Sequence, residues 1–312
     1  MKHILQSGRQ FLDTVVKKMG RYFLHLRMRN ASEADVLAAE RKLRGVEQLE
    51  KLQRADIVVV SFGKSGRTWL RVMISHLFRV MYDLPENALL GFDNFHGMNG
   101  SIPKIFFTHD NYIKDLTGDH NSKQPFYGKR VVLLARDPRD VAVSQFFQWK
   151  FRMKPHKSAI NNYPLHGSDT SILDFVSGDG GGGISAIAQY MNLWAQESSK
   201  VENFHLLRYE SLRANPHEEL AKLLDFMQVS ATQEHIDKAV DYSSYENMKK
   251  MESKQQFRLA GGRMMPGDKN NPDSYKVRRA KIGGYRDYFD DSEVAAIDRQ
   301  LADQLDTYFG YS

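Results

Sequence analysis

The chain has 312 residues, of which 26% are charged, with a formal net charge of +6 and no cysteine. This length can bury a substantial core, and the lack of cysteine excludes disulfides and catalytic thiols and is compatible with a reducing cytoplasm. No apolar run approaches the length that spans a bilayer, and Asp13, Lys17 and Lys18 interrupt the apolar stretches near the start, so neither a transmembrane helix nor a signal peptide is expected.

Residues 1–54 are predicted to form a basic, helical N-terminal extension ahead of a domain over residues 55–312, with a second helix over residues 32–54. Residues 1–29 hold seven Lys and Arg side chains and one acid, Asp13, and this difference of six equals the net charge of the whole chain. Apolar residues interleave with the basic ones as in an amphipathic helix. Such a helix suits peripheral contact with the inner face of an anionic membrane; the alternative is a helix packed on the domain with its charged face in water. No recognised nucleic-acid motif accompanies the charge, so nucleic acid is not an expected partner.

The stretch over residues 56–71 carries the strongest functional pattern. A β-branched strand runs into Gly-Lys-Ser-Gly at residues 63–66, and a helical pattern starts directly after it. Backbone N–H groups of the loop, the positive end of the helix dipole and Lys64 together make a cradle for an anion, such as a phosphate or sulfate ester of a nucleotide. A Walker A loop would need glycine where Val58 stands, which argues against an ordinary ATP or GTP loop.

Two more predicted strands end in residues suited to binding or catalysis. Residues 105–109 form a predicted strand that ends in histidine, and residues 131–135 form one that is followed by Arg136 and, two helical turns later, by Ser144. Because the carboxyl ends of parallel strands share one edge of a sheet, these groups are expected to meet the anion cradle. An arginine fork with a hydroxyl suits phosphate oxygens, and an imidazole suits a general base. The competing candidates for that base are His76, His96 and His120.

Helices, one further strand and two loops account for the rest of the chain. The patterns predict helices over residues 185–199, 216–227, 232–241 and 292–309, and a fourth strand over residues 203–208. Residues 152–185, polar and glycine-rich, are predicted to be a mobile loop beside an acceptor pocket, or only a disordered connector. Residues 254–276, which include Gly261 and Gly262, are predicted to close over a nucleotide. Strands alternating with helices indicate an α/β fold, a doubly wound and mainly parallel sheet with a P-loop-like nucleotide site.

Three ordered segments resemble the signatures of the sulfotransferases that use 3′-phosphoadenosine 5′-phosphosulfate (PAPS). Residues 63–69, GKSGRTW, are similar to the family's 5′-phosphosulfate loop P-K-S-G-T-T-W, and residues 136–144 are similar to its 3′-phosphate segment R-[ND]-P-x-D-x-x-x-S. Residues 277–289, VRRAKIGGYRDYF, are similar to its C-terminal signature R-[KR]-G-x-x-G-D-W-[KR]-[ND]-x-F. Departures from the family include Gly63, Arg67, Phe107 and Ala280.

This resemblance implies an enzyme that moves the sulfuryl group of PAPS to an acceptor hydroxyl by in-line displacement and leaves adenosine 3′,5′-bisphosphate (PAP). It implies three catalytic residues, Lys64, His109 and Ser144, with His109 as the general base. The cofactor-binding residues that it implies are Lys64, Ser65, Gly66, Arg67, Thr68, Trp69, Arg136, Ser144, Tyr209, Ser243, Tyr245, Arg278, Arg279 and Ala280. The histidines and carboxylates show no close ligand spacing such as H-E-x-x-H, so no metal is expected.

Two other functions stay open at this point: a P-loop kinase that uses ATP and magnesium, and a noncatalytic anion-binding protein anchored through its basic helix. The expected acceptor is a small molecule, a carbohydrate or a lipid-linked hydroxyl, bound in a pocket lined by residues 82–125 and 150–185. The candidate lining residues are Phe92, Phe95, His96, Phe126 and Phe147. The sequence does not indicate an oligomeric state.

Overall fold

The computed structural model describes residues 2–258 and 264–311, with side chains described from residue 15 onward. Its centre is a four-stranded sheet in the order β2-β1-β3-β4, in which every pairing is parallel. The strands are β1 (Ile57–Val60), β2 (Ile105–Thr108), β3 (Arg130–Ala135) and β4 (Asn203–Arg208). The predicted fold class, with its four strands, is confirmed.

Helices cover both faces of the sheet because successive residues of a strand point to opposite faces. The helices of the described residues are α1 (Lys2–Arg27), α2 (Glu33–Arg54), α3 (Arg67–Tyr82), α4 (Asn94–Met98), α5 (Ile113–Thr117), α6 (Pro138–Arg152), α7 (Pro155–Ile160), α8 (Ile172–Ser177), α9 (Ile184–Ser198), α10 (Tyr209–Ala214), α11 (Pro216–Phe226), α12 (Gln233–Tyr242), α13 (Tyr245–Ser253) and α14 (Asp291–Gln304). On β1, Val58 and Val60 pack into the cluster formed with α2, α6, α8, α9 and α14, and Ile57 and Val59 pack into the cluster formed with α3, α11 and α12.

The N-terminal helix lies against α2 and α4. An ion pair between Arg21 and Glu47, with an N–O distance of 2.8 Å, joins α1 to α2. The opposite face of α1 carries a stripe of side chains that are 49–63% exposed, namely Val16, Met19, Tyr22, Phe23 and Leu26. Among the residues that the structure describes, none of the helices combines the length and apolar character needed to cross a membrane.

The prediction that residues 152–185 form a mobile or disordered loop is wrong. The stretch contains α7 and α8, and both begin at local signals: Pro155 opens α7, and the Ser171 hydroxyl accepts a hydrogen bond from the backbone N–H of Asp174 at 3.0 Å. One of its glycines serves close packing, since a Cβ at Gly181 would lie 2.1 Å from the carbonyl oxygen of Asn161. The predicted final helix also ends early, because α14 stops at Gln304 and a separate 3₁₀ turn covers Thr307–Phe309.

The predicted closing loop over residues 254–276 is irregular where it is described, apart from a 3₁₀ turn over Pro272–Ser274. Gly261 and Gly262, on which that prediction drew, lie outside the described residues. The described part after them is fixed to α6, because Arg152 donates hydrogen bonds to the carbonyl oxygens of Met265, at 2.7 Å, and Ser274.

Candidate active site

The loop between β1 and α3 is held tightly by its neighbours. Gly66, the N-cap of α3, has φ +98°, and a Cβ there would lie 2.6 Å from the ring of Tyr209. A Cβ at Gly63 would lie 2.3 Å from Nε2 of Gln145 on α6. Lys64 also has a positive φ, 72°. Left-handed residues in such a turn direct successive N–H groups toward one concave side, which is typical of anion-binding loops.

Lys64 lies in a strongly positive environment at this loop. Burial, together with the nearby cations Lys276 and Arg152, lowers the pKa of the Lys64 ammonium to about 7. The carboxylate of Glu252 raises this pKa, but it does not compensate for burial and the nearby cations. A lysine whose charge is disfavoured in the free protein gains most when an anion binds beside it.

Arg136 joins the loop to residues 277–289, the C-terminal segment. Arg136 directly follows β3. Its guanidinium donates to the carbonyl oxygens of Lys64 and Lys281, both at 3.3 Å, and to the carboxylate of Asp140 at 3.2 Å. Asp140 is buried and accepts the backbone N–H groups of Gly283 and Tyr285 at 3.0 Å each. The Arg136–Asp140 pair therefore positions residues from three separate stretches of the chain around one point.

The predicted base, His109, follows β2 and is hydrogen-bonded through both ring nitrogens. Nδ1 lies 2.7 Å from the carbonyl oxygen of Ser61, and Nε2 lies 2.6 Å from Nη2 of Arg67. Because a carbonyl only accepts and a guanidinium only donates, Nδ1 carries the proton and Nε2 presents its lone pair. Burial and the adjacent Arg67 cation hold the pKa of His109 well below its usual range. The imidazole is therefore neutral, with the nitrogen that could take a proton covered by Arg67.

The residues predicted around an adenine ring do converge. The Trp69 indole N–H donates to the carbonyl oxygen of Ser243 at 2.8 Å, and its ring meets that of Tyr209 edge to face, with centroids 5.7 Å apart. The Tyr245 hydroxyl donates to the carbonyl oxygen of Arg278 at 2.8 Å, which links α13 to the C-terminal segment. Aromatic faces with polar backbone edges suit a purine.

The two arginines of the C-terminal segment lie in different environments, one packed against aromatic rings and one exposed. The Arg278 guanidinium lies over the Phe147 ring, 3.4 Å from its centroid, and contacts the Tyr288 hydroxyl. Arg279 is 55% exposed and pairs with Asp287 at 3.0 Å. Ala280 adopts φ +49°, a left-handed conformation that favours glycine, so the departure noted in the sequence coincides with a strained backbone.

A single cavity of about 1490 Å³ brings the predicted site residues together. Every one of them lines it except Ser65, which is 2% exposed and lies beneath the loop. Of the competing histidines, His120 also lines the cavity. His76 stacks on Tyr242, and His96 bonds the Ile102 carbonyl oxygen, so neither reaches it.

The aromatic residues predicted to line an acceptor pocket do not line the cavity. Phe95 and Phe126 are fully buried, Phe147 supports Arg278, and Phe92 packs on the core, so that prediction is wrong for all four. The pattern did not distinguish apolar residues of the core from those of a pocket. The lining of the cavity away from the loop is instead mixed. Its polar and charged residues include Arg41, Asn111, Lys114, Lys157, Asn161, Asn162, Gln189 and Gln196, and its apolar and aromatic residues include Phe62, Tyr112, Ile160, Tyr163, Tyr190 and Leu193.

Two structural partners of the site were missed by sequence reasoning. Glu252 is fully buried on α13 and accepts the backbone N–H groups of Lys276 and Val277 at 2.8 Å each. Arg152, at the end of α6, lines the cavity and anchors the same stretch of chain. No local pattern marks either residue, because each acts on a segment far away in sequence. Asp140 could have been found, since it stands in the motif of residues 136–144.

The charge of the cavity fits an anionic nucleotide. Its cations come from several separate segments and include Lys64, Arg136, Arg152, Lys276, Arg278 and Arg279. Among the described residues, Nε of Arg136 is buried without a hydrogen-bond partner. A buried donor without an acceptor is costly, and a phosphate oxygen would satisfy it.

Comparison with known protein families gives one domain match. Residues 54–309 match the sulfotransferase domain family. Cytosolic sulfotransferase 17 of Arabidopsis thaliana is 25% identical over 299 residues, which cover 84% of this chain and 79% of that protein. Flavonol 3-sulfotransferase of Flaveria bidentis is 23% identical, with 83% of this chain and 84% of that protein covered.

Solved structures of other proteins show the same fold. A mouse sulfotransferase complexed with PAP aligns with a TM-score of 0.56 and 18% identity, covering 85% of this chain and 92% of the other. Retinol dehydratase in complex with androsterone and PAP aligns with a TM-score of 0.50 and 19% identity, covering 80% of each chain.

Proposed function

The chain belongs to the sulfotransferase family, and from this premise we propose that it transfers the sulfuryl group of PAPS to the hydroxyl of a small-molecule acceptor. PAP is the nucleotide in the aligned structures. The observation that carries the proposal is the meeting of Lys64, Arg136 and His109 in one cavity at the carboxyl edge of the sheet.

The nucleotide is held by two groups of cations in this proposal. Lys64 and the N–H groups of residues 63–68 bind the 5′-phosphosulfate end, where Thr68 adds a hydroxyl. Arg136, Ser144 and the arginines of the C-terminal segment bind the 3′-phosphate. The rings of Trp69, Tyr209 and Tyr245 enclose the adenine. Family resemblance and the shared cavity both support this division.

PAPS, when bound, supplies an activated sulfuryl group. Negative charge then develops on the leaving phosphate oxygen, and Lys64 with the loop N–H groups stabilises it because these donors are fixed in advance. His109 accepts the proton of the acceptor hydroxyl at Nε2, the nitrogen that carries the lone pair. For this step the guanidinium of Arg67 must leave Nε2, and the anionic sulfuryl group is a stronger partner for it than a neutral imidazole.

The acceptor is proposed to be a small molecule that carries hydroxyl groups, such as a carbohydrate. Arg41, Lys114 and Asn161 offer polar contacts, and the rings of Tyr112, Tyr163 and Tyr190 line the same cavity. Such a mixed lining suits both hydroxyl groups and the face of a ring. Relatives act on or bind a flavonol, androsterone and retinol, so those compounds belong in any acceptor screen. The names of the plant relatives support a cytosolic location.

Thermal melting with PAP tests the donor site first. At about 100 times its dissociation constant, PAP should raise the unfolding midpoint by roughly 5 °C. AMP, which lacks the 3′-phosphate, should do much less. Stabilisation by ATP with magnesium and not by PAP would replace this proposal with a P-loop kinase, and no shift with any nucleotide would favour a noncatalytic protein.

His109→Ala then tests the base, with radiolabelled PAPS and a panel of sugar, flavonol, steroid and retinoid acceptors. Loss of a general base should lower kcat by about 100-fold or more. PAP should still stabilise the variant. His120→Ala is the matched control, because His120 lines the same cavity and is the competing candidate for the base. If His120→Ala loses kcat and His109→Ala does not, the base is misassigned.

A further inference from the structure

Three side chains from α1, α2 and α7 converge outside the nucleotide site. Nε2 of His25 lies 3.0 Å and Nε2 of His156 lies 2.9 Å from the same carboxylate oxygen, Oε2 of Glu40. Glu40 is 1% exposed, and the two histidines are 44% and 47% exposed. The three ligand atoms all lie within 4.8 Å of one another. The cluster is thus a buried carboxylate with two imidazoles on its solvent side.

Two imidazole nitrogens and one carboxylate oxygen are a ligand set that suits Zn²⁺. In a tetrahedral zinc site, with bonds of about 2.0–2.2 Å, neighbouring ligand atoms are roughly 3.3 Å apart. The spacings observed at Glu40 are within small side-chain rotations of that value. We propose that His25, Glu40 and His156 bind a Zn²⁺-like divalent cation, with the fourth position open to water.

Glu40 is prepared to act as a ligand. Arg44 donates to the other oxygen, Oε1, at 2.6 and 2.8 Å. That contact leaves Oε2 for the metal and fixes the carboxylate, as the outer partners of metal ligands do.

The neighbouring charge sets the strength of the site. The guanidinium of Arg44 repels a cation, so the site should bind zinc more weakly than one without such a neighbour. Arg44→Gln removes that charge and retains an amide donor, and it should therefore tighten zinc binding. If the cluster were only a network of ion pairs, the same change would lower stability and leave zinc affinity unchanged.

The bound ion would connect the N-terminal extension to the edge of the cavity. His156 belongs to α7, and its neighbours Lys157 and Ile160 line the cavity. His25 belongs to α1, which otherwise lies against α2 and α4. One ion would thus hold α1 and α7 against α2. The order of α7, which lines the cavity, would then depend on zinc. This inference does not depend on the sulfotransferase reaction.

Calorimetric titration of the untagged, chelator-treated full chain with ZnCl₂ tests the site. We expect binding of one equivalent of zinc by the wild type and none of Mg²⁺, which prefers oxygen ligands. Since even loss of an outer partner of a ligand costs 10–100-fold in metal affinity, His25→Ala and His156→Ala should each weaken binding at least ~10-fold. His166→Ala is the matched control, an exposed histidine away from the cluster that should bind zinc like the wild type.

Two spectroscopic readouts locate the ion. Co²⁺ should give the intense visible bands of a low-coordinate site in the wild type and in His166→Ala, but not in His25→Ala. Hydrogen exchange in α1 and α7 should slow with zinc only in proteins that retain all three ligands. Equal zinc affinity in the wild type, His25→Ala and His156→Ala, or no stoichiometric binding by the wild type, would overturn the proposal. Neither result bears on PAP binding.

Discussion

The pKa of Lys64 should make the proposed binding of PAP depend on pH. With a pKa of about 7 in the free protein, its amine is mostly neutral at pH 8. Phosphate groups beside it favour the ammonium form and raise its pKa, so binding takes up a proton. The affinity for PAP should fall by up to about tenfold per pH unit above 7.

Calorimetry with PAP in buffers of different ionisation enthalpy, between pH 7 and 9, measures this proton uptake. Lys64→Arg keeps the charge throughout this range, so its affinity should vary little with pH. Lys64→Met should bind more weakly and also without proton uptake. A wild-type affinity that stays constant from pH 7 to 9 would contradict this account.

Arg67 should control the acidic limb of the pH–rate profile. Burial and the Arg67 guanidinium, which lies 2.6 Å from Nε2 of His109, lower the pKa of that imidazole. A lowered pKa keeps the proposed base neutral, so kcat/KM should hold down to pH values below 6.5. In Arg67→Thr the cation is lost, and the acidic limb should move to higher pH.

Arg67→Lys separates charge from shape at the same position. Lysine retains the positive charge but lacks the planar fork of the guanidinium. The acidic limb of the Arg67→Lys enzyme should therefore stay close to that of the wild type. The KM for PAPS should rise in both variants because Arg67 also lines the donor cavity. An acidic limb that is the same in the wild type and Arg67→Thr would show that Arg67 does not tune His109.

At the scale of elements, the C-terminal segment offers a matched pair of backbone tests. Ala280 at φ +49° and Gly283 at φ +68° are both left-handed. A Cβ at Gly283 would meet nothing within 4 Å, so the effect there is conformational alone. Ala280→Gly should raise stability by about 0.5 kcal/mol, and Gly283→Ala should lower it by about 1 kcal/mol.

Chemical denaturation measures both changes, and PAP titration adds a second readout. If the methyl of Ala280 also crowds the phosphate, Ala280→Gly should bind PAP more tightly than the wild type. A loss of stability in Ala280→Gly would mean that the strain at this position is offset by contacts of its methyl group.

The elements around the proposed nucleotide site were predictable because their causes are local. Four apolar strand runs, the glycines of the first loop and Pro138 at the start of α6 each mark structure within a few residues. The acceptor side was not predictable in this way. Phe126 lies in the core, whereas Arg41 lines the cavity. Both positions are decided by packing between segments that are distant in sequence. The cluster around Glu40 was missed for the same reason, since its histidines come from α1 and α7.

At the scale of the whole molecule, the net positive charge and a stripe of exposed apolar side chains both belong to the N-terminal stretch of the chain. The excess of six positive charges resides in residues 1–29, and residues 30–312 are formally neutral. The exposed residues Val16, Met19, Phe23 and Leu26 recur at helical spacing, so they form one stripe along α1. A helix with basic residues and an unpacked apolar stripe suits the surface of an anionic membrane.

We therefore predict that the protein binds vesicles containing phosphatidylserine and not vesicles of phosphatidylcholine alone, as measured by co-sedimentation. Salt should weaken the binding because the electrostatic part is screened. The double variant Met19→Ser, Phe23→Ser loses two side chains that would enter the lipid, each worth about 1.5–3 kcal/mol when fully buried, so its affinity should fall at least ~10-fold. Val46→Ser on α2, where the side chain is 40% exposed, is the control and should bind like the wild type. If ultracentrifugation instead shows a dimer that the double variant dissociates, a second copy of the chain covers the stripe and the membrane proposal is wrong.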